Sequence, residues 1–134
     1  IAAMQGIHCT SDAPFVVKRL GEKRAREGAY PWRSLIDAGA VIANGTDAPV
    51  EDVDPLESFY ASVTRKRLDT GFEFVSEQSM TRAEAIQSYT LSNAYAAFEE
   101  ETSNMISKAL KNEKKAFVLL PNQAAFQHFN RLKC

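Results

Sequence analysis

The stretch that most limits how this chain can fold is Val41-Ile42-Ala43-Asn44-Gly45-Thr46-Asp47-Ala48-Pro49-Val50. A short apolar run ends at Asn44-Gly45, a turn-forming pair that leaves the acid beyond it little chance of burial. One carboxylate, Asp47, then stands between Thr46 and an Ala-Pro step. The pattern predicts a strand that stops and presents an acid from its C-terminal end. By themselves the ten residues favour a loop whose acid only helps form a turn, so the flanking sequence has to decide.

Ile1 to Ile7 is apolar and compact, as a buried parallel strand is. It runs into polar groups at His8, Thr10, Ser11 and Asp12, where His8 reads either as a structural histidine or as a ligand, base or substrate contact. Between Phe15 and Gly28 the basic residues Lys18, Arg19, Lys23, Arg24 and Arg26 are broken by Glu22 and Glu27. Without interleaved aromatics they describe a solvated helical face rather than a single-strand nucleic-acid surface. Tyr30-Pro31-Trp32 opens a helix that runs to Gly39, and a strand follows over Ala40 to Ala43. Ile1 to Asp47 therefore reads as strand, long loop, helix, strand: one parallel βαβ unit of an α/β fold.

Asp54-Pro55 is an N-cap with proline at the first helical position, and Leu56, Phe59, Tyr60 and Val63 form the expected apolar stripe behind it. Thr64 to Gln78 reads as a loop broken at Gly71. Thr81-Arg82-Ala83-Glu84 is a capping box, which gives Glu84 a local structural role, with Ala85, Ile86 and Tyr89 as the buried face. A second helical piece, Ser92 to Glu100, carries Ala94, Tyr95, Ala97 and Phe98. In the tail, Ala116 to Leu120 reads as a strand and Gln123 to Cys134 as a short helix. His128 has no acidic or cysteine neighbour there and is read as non-functional.

At 134 residues the chain fits one domain. Its 16 basic and 17 acidic residues leave a net charge of −1, so no global field draws it to nucleic acid or a membrane surface. No apolar run approaches the roughly 18 residues of a membrane span. The cysteines at 9 and 134 form no metal-type pair, and a reducing, cytoplasmic setting is the default expectation.

With these residues in place, the chain resembles the C-terminal part of a type-3 amidohydrolase, a metal-dependent hydrolase family with a TIM-barrel fold. Ala3-Met4-Gln5-Gly6-Ile7-His8 through Ser11-Asp12 looks like the family's strand-seven motif, S-x-Q-P-x-H with a later Ser-Asp. Leu20-Gly21, Arg24, Gly28-Ala29-Tyr30 and Trp32-Arg33-Ser34-Leu35 resemble the segment leading to strand eight. Gly45-Thr46-Asp47-Ala48-Pro49-Val50 matches the strand-eight signature G-[ST]-D-x-P-V. Asp54-Pro55-Leu56, Phe59 to Arg65 and Met80 to Ala85 look like the helices that follow.

The resemblance implies an α/β fold holding about the last two βα units of a (β/α)8 barrel plus C-terminal helices, not a complete barrel. It places residues 1–101 in that barrel part and leaves 102–134 as a divergent tail, a possible remnant of the family's small β domain. It implies hydrolysis of a non-peptide carbon–nitrogen bond in a small amide-like substrate by metal-activated water. Asp47 would serve as both catalytic acid–base residue and metal ligand, His8 as a substrate contact, and the cofactor would be a divalent metal, zinc first. The alternative is a non-catalytic barrel remnant acting as a binding or interaction module.

The departures are specific. Gly6 stands where the family usually has proline, which is expected to loosen the strand exit. The family's HxH and its strand-five and strand-six histidines are absent, and by resemblance all would precede Ile1. The chain alone is therefore expected to be inactive, with unpaired sheet edges that favour self-association.

Overall fold

A computed structural model of the chain describes residues 1–111. Two strands, β1 (Ala2–Gln5) and β2 (Ile42–Gly45), pair in parallel, with Ala2 opposite Ile42 and Gln5 opposite Gly45. The parallel pair and the helical connection between its strands make this an α/β arrangement, as expected.

The elements differ from the sequence expectation in instructive places. β1 is shorter than Ile1–Ile7, because the chain turns at Gly6-Ile7 into the short helix α1 (His8–Ser11). The segment read as a long loop is helical: α2 (Ala13–Leu20) and α3 (Glu22–Gly28) meet at Gly21, whose φ of 78° lies in the left-handed region. Glycine reaches that conformation without a Cβ clash, so the chain bends there instead of unwinding. The helix α4 (Trp32–Asp37) lies within the expected range.

β2 lies two residues beyond the predicted start and includes the pair read as its turn. Asn44 is 1% exposed and pairs with Met4 in the ladder, while its Nδ2 donates to Ser88 Oγ at 3.0 Å. A buried amide with a partner is compatible with a strand interior. The left-handed residue that ends the strand is Asp47 itself, with φ 63°.

Beyond β2, α5 (Pro55–Thr64) is capped as its sequence predicts, Asp54 accepting from the Leu56 N–H at 2.8 Å. Its buried face keeps only part of the expected stripe: Phe59 and Val63 pack against the core, while Leu56 and Tyr60 do not. Leu56 is 68% exposed, and Ser58, Ala61 and Ser62 are the residues turned inward. The reason is a hydroxyl cluster. Ser58 Oγ lies 2.6 Å from the Tyr89 hydroxyl and accepts the Ile7 N–H at 3.1 Å, and Ser62 Oγ donates to the Ser58 carbonyl at 3.0 Å.

The capping box of α6 (Arg82–Tyr89) is present, and Glu84 also pairs with Arg33 Nη2 at 2.5 Å. On α7 (Leu91–Ala96), Ser92, Asn93 and Ala94 are buried, whereas the expected core residues Tyr95 and Phe98 are exposed. A last described helix, α8 (Glu100–Lys111), runs across the boundary after position 101, beyond which the tail was expected. The strand expected at 116–120, the helix at 123–134, His128 and Cys134 lie outside the described residues.

Two apolar clusters form the core. One joins Ile7, Cys9, Trp32, Ile42, Ala61, Met80 and Ala85; the other joins Ala13, Val16, Ala25, Ala29, Phe74 and Val75. Arg65, fully buried at the C-cap of α5, sits between them. Its guanidinium lies 4.9 Å from the Trp32 ring and 5.6 Å from the Phe74 ring, and it donates to the carbonyls of Phe74 at 2.6 Å and Tyr30 at 2.9 Å. Burial lowers its pKa, yet guanidinium stays charged in proteins.

Candidate active site at the end of strand β2

Past Gly45, the buried Thr46 leads the chain to Asp47. Aspartate tolerates the left-handed conformation because its short polar side chain can bond locally. The N–H groups of Val50 and Glu51 donate to the Asp47 carbonyl at 2.8 and 3.3 Å, closing a turn that holds the backbone while the carboxylate stays 41% exposed. The acid thus projects from the C-terminal end of a parallel strand, where α/β folds gather their ligands.

His8, the first residue of α1, is brought to the same point. Its Nε2 lies 3.4 Å from Asp47 Oδ2 and 3.8 Å from Glu51 Oε1, and Ser11 Oγ donates to that Glu51 oxygen at 2.6 Å. The strand pairing makes this possible, because the parallel register sets the ends of β1 and β2 side by side. His8 and Asp47 are therefore neighbours, although 39 positions separate them in sequence. Glu51 was not singled out in the sequence. The signal available was its position four residues after Asp47, within reach of one turn.

Other candidates fall elsewhere. Asp12 accepts a hydrogen bond from the Tyr30 hydroxyl, which together with burial raises the Tyr30 pKa. The Thr10 hydroxyl donates to the Ile7 carbonyl at 2.8 Å, a local structural bond. Cys9 is a buried free thiol whose pKa burial pushes up to about 12, far from a reactive thiolate.

A cavity of about 500 Å³ opens beside Asp47. Ala43 and Asn44 of β2, Ala48 and Val53 of the following loop, and Ala96 and Ala97 at the end of α7 are among the residues that line it. His8 touches Asp47 but does not line this cavity.

Among the described residues, no group of three or more His, Cys, Asp or Glu side chains is placed to hold a metal ion. A catalytic zinc-type site takes about three protein ligands and an open position. Asp47 has the chemistry of one such ligand, an accessible carboxylate at the cavity mouth, but the described residues do not complete the set. Nor is any described helix long and apolar enough to cross a membrane.

A parallel α/β frame with an exposed strand-end acid beside an open cavity defines a class of protein that builds its site at strand C-termini. The particular family follows from comparison: the amidohydrolase family model, Amidohydro_3, matches residues 1–108, and the chain belongs to that family. Its fold is the TIM barrel. YtcJ of Bacillus subtilis (strain 168), provisionally named an amidohydrolase, is 35% identical over 100 residues, 73% of this chain and 19% of its own length. The protein LONG AFTER FAR-RED 3 of Arabidopsis thaliana is 34% identical over 98 residues, covering 73% of this chain and 17% of that protein. The N-substituted formamide deformylase of Arthrobacter pascens is 29% identical over 77 residues, covering 58% and 14% respectively. The chain thus spans less than a fifth of the length of these relatives. No solved structure matches it.

Proposed function

We propose that this chain forms the C-terminal part of the barrel of a metal-dependent amidohydrolase that cleaves a carbon–nitrogen bond in a small amide-like substrate. The observation that carries the reading is Asp47: an accessible carboxylate at a parallel strand end, inside the matched family region and at the mouth of a cavity.

In this reading Asp47 accepts a proton from the attacking water as the water oxygen bonds to the substrate carbonyl carbon. The carbon–nitrogen bond then breaks, and the departing nitrogen leaves with the proton Asp47 took up. His8, against Asp47 Oδ2, orients that carboxylate from one side, and in this reading it contacts the part of the substrate that extends past the cavity. A divalent metal, zinc first, would be held in part by Asp47, with its remaining ligands supplied beyond the described residues. When bound, it would lower the pKa of a water toward about 7.

Replacing Asp47 by Asn in the complete enzyme tests this. The amide is a poor proton acceptor and a weaker metal ligand, so turnover should fall at least about 100-fold while the melting temperature holds. Near-normal turnover with metal bound would sink the assignment.

A further inference from the structure

The turn after Asp47 carries a second carboxylate to His8. Glu51 donates its N–H to the Asp47 carbonyl at 3.3 Å, and its side chain returns toward α1. There Ser11 Oγ donates to Glu51 Oε1 at 2.6 Å, and the Glu51 side chain is only 22% exposed. A hydroxyl bond to a carboxylate at this length is among the stronger side-chain contacts. Glu51 is therefore fixed at both ends, by its main chain to Asp47 and by its carboxylate to α1.

The same Oε1 lies 3.8 Å from His8 Nε2, and Asp47 Oδ2 lies 3.4 Å from it. One imidazole nitrogen thus faces two carboxylates. A lone pair there would be repelled, so Nε2 carries a proton and turns its N–H to the acids. Both distances exceed the roughly 2.7–3.2 Å of a good N–H···O bond, so no single bond pins the ring. Its orientation depends on the two negative charges together. Asp47 is engaged by the attacking water in the proposed reaction, whereas Glu51 has no part in that chemistry and stays available to His8.

We infer that Glu51 is a positioning residue of this site. Anchored by Ser11, it holds the His8 ring with Nε2–H toward Asp47 Oδ2, and so fixes how the Asp47 carboxylate is turned. The inference rests on the catalytic reading of Asp47 and adds to it a residue that acts through His8.

The test reads the motion of the His8 ring in the 134-residue chain, labelled at histidine ¹³Cε1, with the resonance assigned by its loss in His8→Ala. In the unsubstituted chain the ring order parameter should be about 0.8, near that of rigid backbone, and Glu51→Ala should lower it to about 0.6 or less. The melting temperature and the order parameter of the Asp47 backbone N–H should hold in that variant, because the main-chain bond remains. Glu51→Gln keeps an acceptor for Ser11 but not the charge, and should loosen the ring as Glu51→Ala does. A ring mobile before any substitution, or one that stays ordered in Glu51→Ala or in Glu51→Gln, would overturn the inference.

In the complete enzyme, with 4-nitroacetanilide as the probe, Glu51→Ala should lower kcat/KM about five- to tenfold, and by less than about twofold once His8 is replaced by alanine. Equal losses in the two backgrounds would make Glu51 a merely structural residue and overturn the inference. No turnover of the probe by the unsubstituted enzyme would count against the catalytic reading and leave ring motion to decide the role of Glu51.

Discussion

Gly6 offers the sharpest test of how the strand end is held. A Cβ at this position would lie 2.2 Å from Ser62 Oγ, 2.2 Å from the Tyr89 hydroxyl and 2.6 Å from the Ser58 carbonyl oxygen. The first two are side-chain ends, but both are tied into the Ser58 cluster. Displacing them breaks about two hydrogen bonds, each worth about 1 kcal/mol net. The Ser58 carbonyl belongs to α5 and yields only if the helix shifts, and overpacking of that kind costs about 1–3 kcal/mol. Gly6→Ala should therefore destabilise the chain by about 3–5 kcal/mol, a large part of the roughly 5–15 kcal/mol that domains possess. In urea unfolding followed by circular dichroism, the midpoint should fall by about 2–3 M for a slope of about 1.5 kcal/mol/M. Adding Tyr89→Phe and Ser62→Ala removes both 2.2 Å contacts and should recover part of the loss. A Gly6→Ala midpoint unchanged within error would refute the close-packing argument. The family's usual proline would meet the same wall, so Gly6 does not loosen this strand exit; it is the residue that fits.

His8→Ala in the complete enzyme should raise KM more than it lowers metal content, in keeping with its place against Asp47 at the rim; stoichiometric metal loss with the fold intact would show that His8 is a ligand. Glu84 is held down to about 2, from an ordinary 4.5, by the Arg33 guanidinium and the Thr81 N–H. A depressed carboxylate contributes stability in full above its unfolded pKa and loses it as pH falls through the folded one. Melting temperature should thus drop between about pH 5 and 2, and Glu84→Gln should flatten that segment of the profile; an unchanged slope would deny the pair its role.

What the sequence made legible was whatever acts locally. Asp54-Pro55 and Thr81-x-x-Glu84 are caps whose partners lie two or three residues away, and both form as read. The strand-end acid was legible for the same reason, since Thr46-Asp47 follows directly from the apolar run. The buried face of α5 was legible only in Phe59 and Val63, because apolar periodicity does not register inward-facing serines. Ser58 and Ser62 are buried for the sake of Tyr89 and Ile7, 31 and 51 positions from Ser58. The solvated helical face of Phe15 to Gly28 was legible from its basic residues, but the break at Gly21 and the packing through Val16 and Ala25 were not. Glu51 was missed because its spacing from Asp47 was the sole local sign, and the approach of His8 and Ser11 that gives it company comes from folding.

Arg65 joins the two apolar clusters, alongside Tyr30, which packs against both. One aromatic ring under its guanidinium belongs to each apolar cluster, and two of its donors are taken by backbone carbonyls from distant segments, Phe74 and Tyr30. Opening either cluster alone would leave a buried positive charge without its surroundings, a costly state. The amides of Trp32 and Phe74 should accordingly exchange with solvent at matching free energies, as members of one cooperative unit. Arg65→Met should split them into two exchange classes, whereas matching protection in that variant would show that the arginine is no clasp.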